Sequence, residues 1–366
     1  MLRGLSWRNF DFLLLGAVVM ASAFGITMIR SAIAGNEELL PLATRQIYFA
    51  LIGLVVIFLL AAIDYRYWLA IHWPVYIITM LFLVSLSNLG QAAFGAQRWF
   101  TVGVLFLQPT EFAKITVIII LARFFEKSQD DPRDLRWILK SLAWVWGLVI
   151  WILLQPNLSN VIVTMVIWGF MIWMNGIELK QIGWMALAAL GLGAIAFPFL
   201  EPYQRDRILT FLLPDPNASY GATYNVQQAL IAIGSGGLFG QGYGHGTQTQ
   251  LRFLKVRHTD FIFSATSEEF GMIGGVLIII ILGFIVWRCI RAAQKARDLS
   301  GSMIAFGVAA LLFFQGVANI AVNLNLIPVS GLPLPFISYG GSGLMSLMIG
   351  IGLVESVAMR HKELQF

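Results

Sequence analysis

Apolar runs long enough to cross a bilayer recur from one end of this 366-residue chain to the other. A helix needs about 20 predominantly apolar residues to span roughly 30 Å of hydrocarbon. Ten segments meet that requirement, near 10–33, 46–63, 68–88, 108–126, 136–154, 158–175, 181–200, 262–287, 303–326 and 343–359. In lipid the backbone must satisfy its own polar groups, which leaves helices or closed barrels. A barrel would show alternating segments of roughly ten residues instead. The expected fold is therefore an all-α polytopic membrane protein with about ten transmembrane helices. Composition agrees: 58% of residues are hydrophobic and 12% charged, where a soluble domain carries about 25% charged.

The basic residues orient these spans. Arg3, Arg8, Arg66, Arg123, Lys127, Arg133, Arg136, Lys140, Lys180, Arg288, Arg291, Lys295, Arg297, Arg360 and Lys362 fall on one side if the chain starts inside. The opposite side or the membrane holds Arg30, Arg45, Arg98, Lys114, Arg205, Arg207, Arg252, Lys255 and Arg257. Five of those nine lie in one long loop, and long loops are exempt from the positive-inside rule. Both termini are thus expected in the cytoplasm, with a large extracytoplasmic loop, about 201–261, between spans 7 and 8. The "ASA" at Ala21–Ala23 resembles a cleavage site, but the apolar run continues past it, so the first span is read as uncleaved. Residues 1–366 read as one integral-membrane unit. The net charge of +5 sits in short blocks beside apolar runs and does not indicate nucleic acid.

Ionisable groups inside or beside a span are functional candidates, because placing them there is costly. Glu111 and Lys114, in "QPTEFAK", are three apart and share a helix face. They form either a structural ion pair or a site where Lys114 meets an anionic ligand. Arg98, in "GAQRWF", is either an interfacial anchor or a phosphate clamp. Asp260 directly precedes the eighth span and is placed to cap it. It is equally placed as a general base, since Lys255, Arg257 and His258 beside it favour the ionised form and suit a polyanionic leaving group. Glu268 and Glu269 are weaker candidates, and Thr266 with Glu269 would form a capping box if the helix starts later. The glycine-rich Ala232–Gly246 lacks a nucleotide fingerprint and reads as a flexible or re-entrant loop. The four histidines show no ligand spacing. A divalent cation, Mg²⁺ or Mn²⁺, bridging a carboxylate and a substrate pyrophosphate, is neither demanded nor excluded.

Five stretches in order, "GAQRWF", "QPTEFAK", "AIGSGG", "RHTDFIFSATSEEFG" and "SGLPLPFISYGGS", resemble the SEDS family (shape, elongation, division, sporulation) from the first span to the last. Arg257 ahead of His-Thr-Asp and the "LPLPF" run are similar to its rod-shape branch. The resemblance implies a peptidoglycan glycosyltransferase that polymerises lipid II at the outer face of the bacterial cytoplasmic membrane. It also implies a class B penicillin-binding protein and other elongation-complex proteins as partners. The family's essential carboxylate falls on Asp260, its Glu–Lys pair on Glu111 and Lys114, and its first-loop arginine on Arg98. Arg257 and His258 join them as candidate substrate-binding residues. The chain departs from the family at "QPNLSN", which lacks the usual carboxylate and glycine, and at "GGSG". A lipid II transporter and a non-catalytic activator of a transpeptidase are the rival readings.

Overall fold

The computed structural model describes residues 7–89, 91–93, 96–102, 105–214 and 221–360, with backbone alone at 87–89, 91–93, 96–102, 105–106 and 222. In chain order the helices are α1 (Phe12–Ala32), α2 (Leu40–Ala62), α3 (Tyr65–Ala70) and α4 (His72–Leu89). Three short strands follow: β1 (Gln91–Ala93), β2 (Ala96–Val102) and β3 (Leu105–Leu107) form an antiparallel sheet in that order. Next come α5 (Pro109–Lys127), α6 (Leu135–Leu154), α7 (Leu158–Met174) and α8 (Leu179–Ala196). The long loop contains α9 (Pro202–Leu212), α10 (Gly221–Gly236) and α11 (Thr247–Gln250). The chain finishes with α12 (Ile262–Lys295), α13 (Leu299–Asn323) and α14 (Gly341–Ala358).

Each expected span coincides with a helix. Among the described residues, α1, α2, α6, α8, α12, α13 and α14 are long and apolar enough to cross a membrane. The apolar windows of α13 and α14 are 72% and 78% buried, whereas that of α8 is 0% buried. So α13 and α14 form the centre, and α8 stands at the rim. Glycines let the central helices approach closely. A Cβ at Gly307 of α13 would lie 2.8 Å from Ile118 of α5, and one at Gly352 of α14 would lie 2.8 Å from Leu60 of α2.

The helix starts differ between the two ends of the bundle. Asp11, Asp64, Asp134 and Asp298 cap α1, α3, α6 and α13 through side-chain oxygens, and Glu178 opens α8 in a capping box with Gln181. These starts share one end: Asp298 pairs with Arg66 at 2.8 Å, Arg360 reaches Asp64 at 3.5 Å, and Asp11 pairs with Arg288 at 2.5 Å. At the other end α2, α5, α7, α12 and α14 start with no side-chain cap.

The glycine-rich stretch is a built element rather than a flexible loop. Its first residues finish α10, and the rest docks on a break in α12. Gly271 has φ 67° and ψ −163°, which interrupts that helix. The amides of Met272 and Ile273 would ordinarily bond the carbonyls of Glu268 and Glu269 four residues back. Instead they donate to Gly237 O (2.8 Å) and Leu238 O (3.3 Å). The two released carbonyls accept from Gln241 N and Gly242 N, both at 2.9 Å. Two helical bonds are thus exchanged for four across the contact. Only glycine suits Gly271: a Cβ there would lie 2.4 Å from Leu238 O, and its φ is left-handed.

Candidate active site

Asp260 stands where three segments of the uncapped end meet: residues 256–260, residues 330–340, and α9. The first two are laced together. Ser338 Oγ donates to Thr259 O (2.6 Å) and accepts from Leu334 N (2.8 Å), and Tyr339 N donates to His258 O (2.9 Å). Gln46 of α2 holds the same segment, donating to Ser338 O at 3.2 Å and accepting from Gly340 N at 3.3 Å.

Beneath them runs a polar ladder on α13: Gln315, Asn319 and Asn323, four residues apart and on one face. All three are buried. Asn323 Nδ2 donates to Asp260 O (2.9 Å), while its Oδ1 accepts from Ser264 N (3.1 Å) and Ser264 Oγ (2.6 Å). The Asn323 amide therefore replaces, from another helix, the 264-to-260 bond that α12 does not make. Asn319 Nδ2 donates to Asp260 O (3.0 Å) and Leu332 O (2.8 Å). Gln315 Nε2 donates to Pro333 O (3.0 Å).

This arrangement corrects one expectation. Asp260 does not cap α12: the N-cap position is Phe261, without a side-chain bond. Because the helix opens at Ile262, Thr266 lies inside it and donates to Ile262 O (2.8 Å) rather than forming a capping box. The half-buried Asp260 carboxyl is thereby left free of the helix amides.

The cations are also arranged differently from the sequence expectation. Arg257 is buried and turned away, its Nε donating to Ala32 O at the end of α1. Burial, followed by Arg257, pushes the His258 imidazole down to about 4, so it is neutral at pH 7. Lys255 is exposed, with Nζ 6.0 Å from the Tyr224 ring centroid. The cation facing Asp260 is Arg207 of α9. Arg207 Nη1 and Asp260 Oδ2 each lie 3.8 Å from where a Cβ on Gly331 would be. Burial pushes the Asp260 carboxyl above the usual range, while Arg207 and then Thr259 pull it back. No local spacing pointed to Arg207; the only signal was its membership of the long loop's basic set.

Glu111 and Lys114 form a closed ion pair at 2.7 Å, with Lys114 fully buried. Lys114 Nζ also reaches Gln315 Oε1 at 3.4 Å, which joins the pair to the ladder. The backbone of Arg98 lies in β2; its side chain lies outside the described residues. Glu268 is a structural carboxylate that accepts from Gln248 N (2.6 Å), Thr249 N (3.0 Å) and Thr249 Oγ1 (2.7 Å), fixing the start of α11. Glu269 Oε1 accepts from Ser31 Oγ and from Gln250 Nε2 (3.5 Å).

A cavity of about 310 Å³ adjoins the Asp260 corner, lined in part by Asn157, Tyr203, Arg207, Phe314, Ser330 and Leu332. Ile162, 46% exposed on the outside of α7, forms another part of its wall. The cavity thus borders the lateral apolar surface. Asn157 Nδ2 and Ser330 Oγ are buried in this region without a partner among the described residues. Among the described residues no three His, Cys, Asp or Glu side chains gather as a metal site. A divalent ion here would rest on Asp260 and the oxygens of a phosphorylated substrate.

Among the described residues, then, Asp260 stands across Gly331 from Arg207, and Arg207 lines a cavity that borders an exposed apolar face of α7. The model of the family described as "Cell cycle protein" (FtsW, RodA, SpoVE) matches residues 4–363. The chain therefore belongs to this family, the SEDS proteins. It is 35% identical over 321 residues to the peptidoglycan glycosyltransferase MrdB of Escherichia coli K12, covering 87% of this chain and 86% of that protein. It is 33% identical over 360 residues to stage V sporulation protein E of Bacillus subtilis, covering 95% and 96%. Among solved structures it resembles a chain of a peptidoglycan synthase complex described as coordinating polymerization and crosslinking (TM-score 0.81, 30% identity, covering 96% and 98%). It also resembles the rod shape determining protein RodA of Thermus thermophilus (TM-score 0.73, 29% identity, covering 98% and 99%).

Proposed function

We propose that this chain, a peptidoglycan glycosyltransferase, polymerises lipid II at the outer face of the cytoplasmic membrane during cell elongation. Asp260 acts as general base in an inverting displacement. The sugar hydroxyl of the acceptor is a poor nucleophile until its proton is removed, and one base suffices for a single displacement. The leaving pyrophosphate requires charge stabilisation. Arg207, across Gly331 from the carboxylate, meets it. The observation that carries the reading is Asp260 itself: its main-chain carbonyl is held by Asn319 and Asn323, while its carboxyl stays out of the helix cap, beside Arg207. Burial makes that carboxylate a stronger base, and Arg207, then Thr259, oppose the shift.

In this reading Glu111 and Lys114 position rather than bind. Through Gln315 they hold the Pro333 carbonyl, and with it the segment that carries Gly331. Arg257 anchors its loop to α1. Arg98 remains a candidate phosphate contact. The ten helices cross the membrane, both termini are cytoplasmic, and residues 201–261 lie outside. The polyprenyl tail enters past Ile162 into the cavity, so the sugar–phosphate bond is presented at the headgroup level. A class B penicillin-binding protein would crosslink the product, as suits a likeness to a chain from a polymerising and crosslinking complex.

A carrier needs polar groups through the depth of the membrane. Here the ladder stops at Gln315, and α13 from Met303 to Leu312 contributes mainly apolar residues to the core. The deciding experiment incubates purified protein with lipid II in detergent, where there is nothing to flip across. Glycan chains from the wild type and none from Asp260→Asn are expected. Absence of product from the wild type, or normal product from the variant, defeats the assignment.

A further inference from the structure

At the end of the bundle opposite Asp260 there is a second recess, of about 300 Å³, between the start of α1, the last turns of α12 and the end of α14. Arg8, Arg288, Arg291 and Lys295 line it together with Asp11. Arg288 is paired with Asp11, and behind them the buried Glu355 carboxylate accepts from Asp11 N at 2.9 Å. Arg8, Arg291 and Lys295 have no ion-pair partner among the described residues. The Arg291 guanidinium lies 4.8 Å from the ring centroid of Trp287, which is 45% exposed. Aromatic residues with this half-wet character mark the membrane interface.

Two observations separate this recess from the general excess of basic residues beside spans. First, three cations without an ion-pair partner among the described residues, Arg8, Arg291 and Lys295, converge from two different helix ends on one concave space, whereas Arg136 and Lys140 follow each other along the exposed face of α6. Second, the rim is apolar: Phe12 and Leu13 also line the recess and are 64% and 62% exposed. With a rise of 1.5 Å per residue, the Arg288–Lys295 turns stand at most roughly 40–50 Å along the interrupted α12 from Asp260, comparable with one bilayer and its headgroups. Cations at headgroup depth with an apolar rim match an amphiphile and not a free anion.

We propose that this recess binds the phosphodiester headgroup of an anionic phospholipid. Arg8, Arg291 and Lys295 take the phosphate oxygens, and Phe12 and Leu13 lie against the acyl chains. Arg288 is held in place by Asp11 and shapes the floor. The inference is independent of the role of Asp260, because the two sites lie at opposite ends of α12.

Native mass spectrometry of the detergent-purified full chain tests it, with phosphatidylglycerol and phosphatidylethanolamine titrated separately. Phosphatidylglycerol should be retained in preference, and R291Q/K295Q should weaken its retention by about 25-fold, roughly fivefold per cation. R136Q/K140Q, which removes the same charge from the same end, should leave retention unchanged. Equal losses in both double variants, or in neither, overturn the proposal. So does equal retention of phosphatidylethanolamine by the wild type, or displacement of the lipid by inorganic phosphate at matching concentration. These two wild-type arms decide the question even if R291Q/K295Q fails to fold.

Discussion

The two ends of the bundle differ in how its long helices begin, although Glu201 and Glu268 secure the starts of α9 and α11 in the long loop. At one end Asp11, Asp64, Asp134, Glu178 and Asp298 each open a helix. At the other, five helices begin without a side-chain cap, although Asp260 stands just ahead of one of them. Asp298 shows what capping does to a carboxyl. Burial pushes it up, but the Gly301 amide, Arg66 and Tyr65 outweigh that and hold it below its ordinary value. Asp260 is left above its ordinary value, with burial opposed only by Arg207 and Thr259. A carboxylate saturated by amides is a poor base; one that is partly desolvated and unsaturated is a better one. The helix start that Asp260 leaves uncapped is completed by Asn323 instead.

This contrast can be broken experimentally, and the largest effect belongs to Asp260. Asp260→Asn should lower polymerisation by about 10²–10⁴-fold, the usual contribution of a general base, while the thermal unfolding midpoint stays near that of wild type. A large loss of stability would instead make Asp260 a structural residue like Asp298.

Gly271→Ala should rank next. Its Cβ would meet Leu238 O at 2.4 Å in a left-handed backbone position, so a cost of about 2–3 kcal/mol is expected from strain and clash together. The check is a lowered unfolding midpoint in detergent. An unchanged midpoint would mean that the glycine hairpin does not hold α12 together.

Arg207→Gln should reduce polymerisation by about tenfold, the scale of one lost charge-assisted contact. It also sharpens the pH argument. The base works ionised, so activity is present above the raised folded pKa of Asp260 and lost as pH falls through it. Removing Arg207 takes away a group that lowers that pKa, so the acid limb of the pH–rate profile should move to higher pH. A limb that stays in place would separate Arg207 from the carboxylate.

The smallest effect is expected at the capped end. Asp298→Ala should cost about 1 kcal/mol, typical of a lost cap, because the ion pair to the half-exposed Arg66 adds little. Activity per folded molecule should be unchanged. Asp298 has a depressed folded pKa, so its contribution is present above the unfolded value of 3.8 and lost as pH falls through the folded one. Wild-type stability should therefore fall more steeply than that of Asp298→Ala below about pH 4.

The chain's own residue order determined the helix positions, because hydrocarbon thickness translates directly into run length and each span is a local property of about 20 residues. It also singled out Asp260, Glu111 and Lys114, since an ionisable group in an apolar context is conspicuous wherever it points. Which cation faces Asp260 was decided only in three dimensions. Lys255, Arg257 and His258 are neighbours in sequence, yet each is directed elsewhere or left neutral, while Arg207 arrives from α9. The same holds for the Asn323 amide that completes α12 and for the glycine hairpin that bridges its break. These are contacts between segments distant along the chain, and local spacing carries no information about them. They depend on which helices pack together, and buried glycines and polar ladders settle that only once the bundle has formed.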